Sequence, residues 1–339
     1  MPRPTINDVA RAAGVSKGAV SFALNNKPGV APETRKRILD VARDLGWTPS
    51  AHARALSTSQ AFAVGLVIMR PPETLRSDKF FISFISGAET VLAEEGFALL
   101  LQVVPDPQRE HLAYRRLAEA GRVDGVFVTD LFVDDVRPAL LAEIGLPALV
   151  IGPPQDDPGQ PAVGIDDAPG ITAAVDHLIA LGHTRIAHVA GPDFMVHGRS
   201  RRDAWSAAIE RAGLREGPCI EADFSAEAGA AATMALLDLA DPPTAIVYAN
   251  DLMAMAGLSL AVARGLDVPG DLSITGYDDT EIAAHMQPPL TTVTSDAIAW
   301  GRAAAIRLLE LIRQEPPTAT VLPPAHLIIR GSTGPARPS

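Results

Sequence analysis

Residues 5–24 read TINDVARAAGVSKGAVSFAL, and the reading of the chain turns on how that stretch divides in two. Thr5 can cap a helix, and Asp8 three positions later completes the capping-box spacing. Ile6, Val9, Ala10 and Ala13 fall at i, i+3, i+4 and i+7, which makes one apolar helical stripe. Gly14-Val15 interrupts that helix, and Ser16 is placed to cap the next. At about 100° per residue, Lys17, Gly18, Ser21, Phe22 and Asn25 share an arc of roughly 140°, with Val20, Ala23 and Leu24 opposite. Two short helices around a tight glycine turn, the second with a small polar face, form a helix-turn-helix. An ordinary helical hairpin has the same local pattern, so the surroundings decide between them.

Working outward, the loop Asn26-Lys27-Pro28-Gly29 leads to a third helix with Pro32 in its first turn. Ile38, Val41, Ala42 and Leu45 form its stripe, and Gly46 is placed to end it. Arg35, Lys36, Arg37 and Arg43 stay on its outer side, where solvation is the ordinary role and phosphate contact the alternative. In PSAHARALSTSQ, residues 49–60, Ser50 can cap a helix to about Leu56 before a polar linker. Seven residues are too few for an isolated helix, so this segment is expected to order only with DNA and a partner chain.

Charge separates head from body. Residues 1–60 hold nine Lys/Arg and four Asp/Glu, a net of +5, which leaves −16 of the whole-chain −11 balance on residues 61–339. A small basic head on a large acidic body can approach a polyanion in one orientation only. The length of 339 residues suits two or three domains. No apolar run approaches the roughly 20 residues of a membrane span, and no signal-peptide core opens the chain, so a cytoplasmic protein is expected. Cys219, the single cysteine, excludes an internal disulfide framework and a cysteine metal cluster. The eight histidines show no metal-ligand spacing, and His183 and His188 read as structural. No metal and no cofactor are expected.

From Ala63 the pattern changes. AVGLVIM, FALLLQVV, GVFVT, PALVI, RIAHVA, AIVYA and SITGY read as buried strands. Helical stretches at about 82–95, 108–120, 169–181, 200–212, 226–239 and 250–264 separate them. That alternation predicts parallel sheets with helices on both faces. No Gly-x-Gly-x-x-Gly and no phosphate-binding Gly-Lys-Ser/Thr occurs, which favours two small α/β lobes over a nucleotide enzyme.

Taken in order, TINDVARAAGVSKGAVSFALN, TRKRILDVARDLGWTPSAHARALS, HLIALGHTRIAHVAGP, ANDLMAMAG, ITGYDDTEIA and PPLTTVTSD resemble a LacI/GalR-family transcriptional regulator over essentially residues 4 to 333. The resemblance implies an all-α helix-turn-helix head at 1–48, a hinge helix and linker at 49–61, and a bilobed α/β body at 62–330. That body is similar to periplasmic binding proteins, with lobe crossings near Ile165, Thr291 and Leu322 and a tail at 331–339 expected to fray. A homodimer on a pseudo-palindromic operator is implied, and no leucine heptad follows that would tether a tetramer.

On the same footing Lys17 is the residue expected to read a base edge, while Gly18 reaches nothing and Phe22 offers an apolar contact. Family members commonly carry polar or charged side chains at these two places. Thr5, Ser16, Ser21 and Asn25 are expected at phosphates. In the hinge, Leu56 would enter the minor groove, Ala53 would allow two hinge helices to approach, and Arg54 would lie near phosphate or groove.

A sugar-type cleft needs acceptors for hydroxyl pairs, a planar donor and a flat apolar face. The resemblance assigns Asp278, Arg201, Asn250 and Phe224 to one lobe, Asp78, Phe80 and Phe81 to the other, and Ser295 to the second crossing. Asn250 favours a sugar over a purine, a nucleobase being the alternative effector. After PALVI this chain has Gly152-Pro153-Pro154 where the family often has Asp-Arg, so that wall is expected to differ. Two rival classes remain. A sugar-binding transport protein would leave residues 1–60 without a role. An enzyme would need a nucleophile with an oriented base, and none is legible.

Overall fold

The computed structural model describes residues 4–24, 28–47, 60–71, 75, 78–152, 161–316 and 322–337. It divides into two compact units, residues 1–62 and 63–339.

In the first unit, α1 (Ile6–Ala13), α2 (Lys17–Leu24) and α3 (Pro32–Asp44) enclose a small core of Val9, Ala10, Ala13, Val20, Ala23, Ile38 and Ala42. Asp8 accepts from both the backbone N–H and the hydroxyl of Thr5, at 2.9 and 2.7 Å. Gly14 ends α1 in the left-handed region, at φ 67°, with nothing within 4 Å of where a Cβ would stand. The turn therefore needs glycine for its backbone rather than for space. Ser16 Oγ then accepts from the Ala19 N–H at 3.2 Å and starts α2.

The second unit holds two sheets. The first, in the order β2-β1-β3-β4-β5, consists of β1 (Ala63–Met69), β2 (Ala98–Val104), β3 (Gly125–Val128), β4 (Ala148–Ile151) and β5 (Ala162–Val163), all parallel. Helices α4 (Lys79–Glu94), α5 (Pro107–Glu119) and α6 (Arg137–Glu143) connect these strands up to β4.

The second sheet runs β11-β10-β9-β8-β6-β7. Its members are β6 (Ile186–Ala190), β7 (Cys219–Glu221), β8 (Ala245–Tyr248), β9 (Ser273–Tyr277), β10 (Thr291–Thr294) and β11 (His326–Ile328), with only the β10–β11 pair antiparallel. Its helices are α7 (Ala168–Ala180), α8 (Val196–Arg211), α9 (Ala226–Leu237) and α10 (Asp251–Ala263). A final helix, α11 (Ala297–Arg313), returns to the first lobe and packs on α4. Glycine permits that approach: a Cβ on Gly87 would fall on the Ile298 carbonyl, and one on Gly301 on the Phe84 carbonyl.

The chain passes between the sheets after β5, after β10 and between α11 and β11. Ile165 and Leu322 lie within two of those passages, while Thr291 opens β10 itself, so the second passage falls past Thr294. A fourth tie is non-covalent. The Val133 N–H donates to the Phe194 carbonyl at 2.9 Å, the Val196 N–H donates to the Leu131 carbonyl at 2.8 Å, and Phe132 forms a bridge with Met195.

The expected fraying of residues 331–339 is corrected through residue 337. Ser332 is buried and its hydroxyl donates to the Ile274 carbonyl at 2.6 Å. The Gly334 carbonyl lies 3.0 Å from His183 Nε2, whose Nδ1 meets Thr244 Oγ1 at 2.9 Å. The tail stays because it satisfies polar groups of the second sheet that would otherwise be buried alone.

Candidate functional site

Val20 and Ala23 of α2 face the core, which leaves Lys17, Gly18 and Phe22 exposed and Ser21 half-buried on the opposite side. Phe22 keeps 44% of its surface, high for an aromatic in so small a unit. Thr5 and Ser16 are exposed at the starts of α1 and α2. Asn25, Ala53, Arg54 and Leu56 lie outside the described residues.

A cavity opens between the two sheets of the second unit, where loops leaving their strands meet. Such strand ends are where open α/β sheets take ligands. Asp78, Phe80, Arg201, Phe224, Asn250, Asp278 and Ser295 all line it. Phe81 does not: it is 1% exposed and lies edge-on to Phe80 at 5.4 Å, in the core. Successive helical residues are turned by about 100°, so two adjacent aromatics in one first turn cannot both face the cavity.

The second-lobe wall is built on Arg201, Asp167, Tyr277 and Asp278. Arg201 Nε donates to Asp167 Oδ2 at 2.9 Å and Nη1 to the Ala249 carbonyl at 2.6 Å, while the guanidinium lies 3.6 Å from the Tyr277 ring centroid. The Tyr277 hydroxyl donates to the other Asp167 oxygen at 2.6 Å. Nη2 of Arg201 has no hydrogen-bond partner among the described residues. Asp278 follows β9 with φ 111°, a region that disfavours any side chain, and no described residue donates to its carboxylate. Burial drives that carboxyl well above the ordinary range; Arg201 opposes the shift, and Asp251, Asp78 and Asp167 reinforce it.

Asn250 caps α10 by accepting from the Met253 N–H at 2.9 Å, and its amide donates to the Phe224 carbonyl at 2.9 Å. It thereby fixes Phe224, whose φ of 68° turns the ring against His197 at 5.3 Å between centroids. Burial lowers His197 to about 4, so the imidazole there is neutral. Beneath the site Asp251 accepts from Thr280 N, Thr280 Oγ1 and Thr292 Oγ1 at 2.7, 2.9 and 2.5 Å, and burial raises it to about 6.

The first-lobe wall contains residues the sequence reading did not single out. Arg70, next after β1, donates from Nε and Nη2 to the two oxygens of Asp130 at 2.6 and 2.7 Å and from Nη1 to Asp78 at 3.0 Å. Asp78 also caps α4, accepting from the Phe80 N–H at 2.9 Å. Burial pushes Asp130 up, yet the Arg70 guanidinium holds it below its usual value; Asp78, with burial dominant, is raised. Trp300 lies edge-on to Phe80 at 5.3 Å and donates to the Val163 carbonyl at 2.8 Å. At Gly152, where the family often has Asp, a Cβ would stand 2.5 Å from Leu131 Cδ1. Leucine occupies that part of the wall instead.

Such a body, two parallel sheets with a polar, aromatic-lined cleft at their strand ends, is that of a periplasmic-binding-protein-like ligand domain. Comparison with known proteins agrees. A family model described as periplasmic binding protein-like domain matches residues 175–333, and one described as bacterial regulatory proteins, lacI family, matches residues 5–50. The HTH-type transcriptional regulator CelR of Thermobifida fusca is 35% identical over 97% of this chain and 98% of its own length.

Among solved structures, a CelR–cellobiose complex superposes with a TM-score of 0.72 at 33% identity, covering 97% of this chain and all of that one. The Lac repressor dimer bound to operator and an anti-inducer superposes with a TM-score of 0.84 at 29% identity, over 98% of this chain and all of that one. The chain belongs to the LacI family of transcriptional regulators, and it is a regulator rather than an enzyme. No helix among the described residues is long and apolar enough to cross a membrane.

Proposed function

We propose that this regulator acts in the cytoplasm as a homodimeric repressor on a pseudo-palindromic operator, its DNA affinity set by a sugar bound between the lobes. Asp278 carries the effector half of this reading. A half-buried carboxyl group to which no described residue donates, on a backbone that disfavours it, is explained by a ligand that brings hydroxyl groups. Arg201 Nη2 supplies a donor beside it and Phe224 a flat face, the combination a sugar ring requires. The cellobiose-bound relative supports the same class.

The exposed arc of Lys17, Gly18 and Phe22 carries the DNA half, with Lys17 donating to a guanine edge and Thr5, Ser16, Ser21 and Asn25 holding phosphates. From the hinge, Leu56 wedges the minor groove with Ala53 and Arg54 beside it. Effector and operator are linked through the angle between lobes, with a coupling of about 1–3 kcal/mol.

Two measurements test this. Selection from random oligonucleotides is expected to yield a palindrome that the dimer binds, and Lys17→Ala to weaken that complex about tenfold with specificity relaxed at one base pair. A thermal-shift screen of neutral sugars is expected to stabilise the body by mass action. A chain indifferent to every palindrome, or to every sugar, would remove the corresponding half.

A further inference from the structure

The charge arrangement of the cleft says more about the effector than its shape does. Both guanidiniums that line it are matched to carboxylates of the protein. Arg70 is engaged by both oxygens of Asp130 and one of Asp78, and Arg201 by Asp167. All three of those aspartates line the cavity together with Asp278, so the lining already contains four carboxyl groups. The third cation, Lys79, is exposed, and its ammonium contacts the Asp279 carbonyl.

Two helix N-termini that would otherwise attract an anion, those of α4 and α10, are occupied by the Asp78 and Asn250 side chains. An incoming phosphate or carboxylate would meet no unmatched buried cation, and it would lie beside the carboxylates of Asp130 and Asp167. Like charges brought together out of water are strongly disfavoured, which is how a site rejects a wrong partner.

We propose that the effector is an uncharged polyhydroxyl compound, and that Asp130 and Asp167 set this selectivity by neutralising Arg70 and Arg201 from the two sides of the cleft. This rests on reading the cleft as the effector site. It separates two groups of ligands that share a sugar ring: neutral mono- and disaccharides on one side, sugar phosphates and uronic acids on the other. Arg201 keeps one donor edge for a hydroxyl, so neutralisation removes the attraction for anions without removing the hydrogen bond a neutral sugar uses.

The test uses the full-length chain at fixed ionic strength, comparing glucose with glucose 6-phosphate and glucuronate, cellobiose as a larger neutral probe, and inorganic phosphate alone. In the unaltered protein, neutral sugars are expected to raise the melting temperature and the three anions to leave it unmoved. Asp130→Asn and Asp167→Asn each release one guanidinium, and each is expected to bind inorganic phosphate and glucose 6-phosphate at least tenfold more tightly than the unaltered chain. The two substitutions lie on different lobes, so one that failed to fold would leave the other informative.

Stabilisation of the unaltered chain by glucose 6-phosphate beyond that by glucose would overturn the proposal, as would an absence of anion binding in a folded Asn variant. Silence from every neutral sugar would sink the sugar reading alone, because the response of the Asn variants to inorganic phosphate still decides the charge assignment.

Discussion

The two walls of the cleft use one device to different ends. Each holds a buried arginine against an aspartate, Arg70 with Asp130 and Arg201 with Asp167. On the first wall every nitrogen of the guanidinium donates to a carboxylate, and the network is closed. On the second, Nη2 of Arg201 and the whole Asp278 carboxylate remain without hydrogen-bond partners among the described residues. A closed network is a frame that holds position, whereas an open one has capacity reserved for something that arrives later.

Substitutions on the two walls should therefore have opposite signatures, and the largest effect belongs to the frame. Arg70→Ala strands two largely enclosed aspartates and is expected to cost about 3 kcal/mol of stability, read as a fall in melting temperature on the order of 10 °C. Asp278→Ala is expected to weaken effector binding about 100-fold, some 2.7 kcal/mol, while the apo protein melts no lower and by rights slightly higher. Comparable stability losses from both substitutions would erase the distinction between the walls.

A pH series sharpens the contrast. The Asp278 carboxyl is raised in the folded state, so its contribution to stability is complete below the ordinary carboxylate range and is lost as pH rises through its elevated folded value. Hydroxyl donors favour the ionised form, so effector binding should release a proton and tighten with pH across that rise, by up to about tenfold per unit. Titration calorimetry at several pH values reads this directly, and Asp278→Asn should flatten it. Asp130 carries the opposite sign: held below its usual value by Arg70, it contributes stability above the ordinary carboxylate range that is lost as pH falls through its lowered one. The smallest effect is expected from Trp300→Phe, which keeps the ring edge against Phe80 and removes one of the two donors to the Val163 carbonyl, the Gly152 N–H remaining at 3.1 Å, for about 0.5–1 kcal/mol by chemical denaturation.

What the sequence made legible follows the same division. The head was readable because its determinants are local: a capping pair three residues apart, a glycine turn and two stripes. Asp278 and Arg201 were found through motif resemblance. Arg70 and Asp130 escaped because neither belongs to a motif and they meet across 60 residues of chain, after strands that are neighbours only in the sheet. The helix α11 was not named because the first half of its buried face is Gly301, Ala303, Ala304 and Ala305, small residues suited to close packing on α4, and large buried side chains enter only at Leu308 and Leu309. Phe81 failed for a geometric reason, since the rotation between adjacent helical residues sends one of the Phe80-Phe81 pair inward.

The backbone tie between Leu131–Val133 and Phe194–Val196 has a kinetic consequence. Spreading the lobes there breaks two backbone hydrogen bonds and leaves two amide donors and two carbonyls to be hydrated. Opening at that edge is therefore expected to break both bonds together, and the residence time of a bound effector is expected to follow the rate at which this small seam parts.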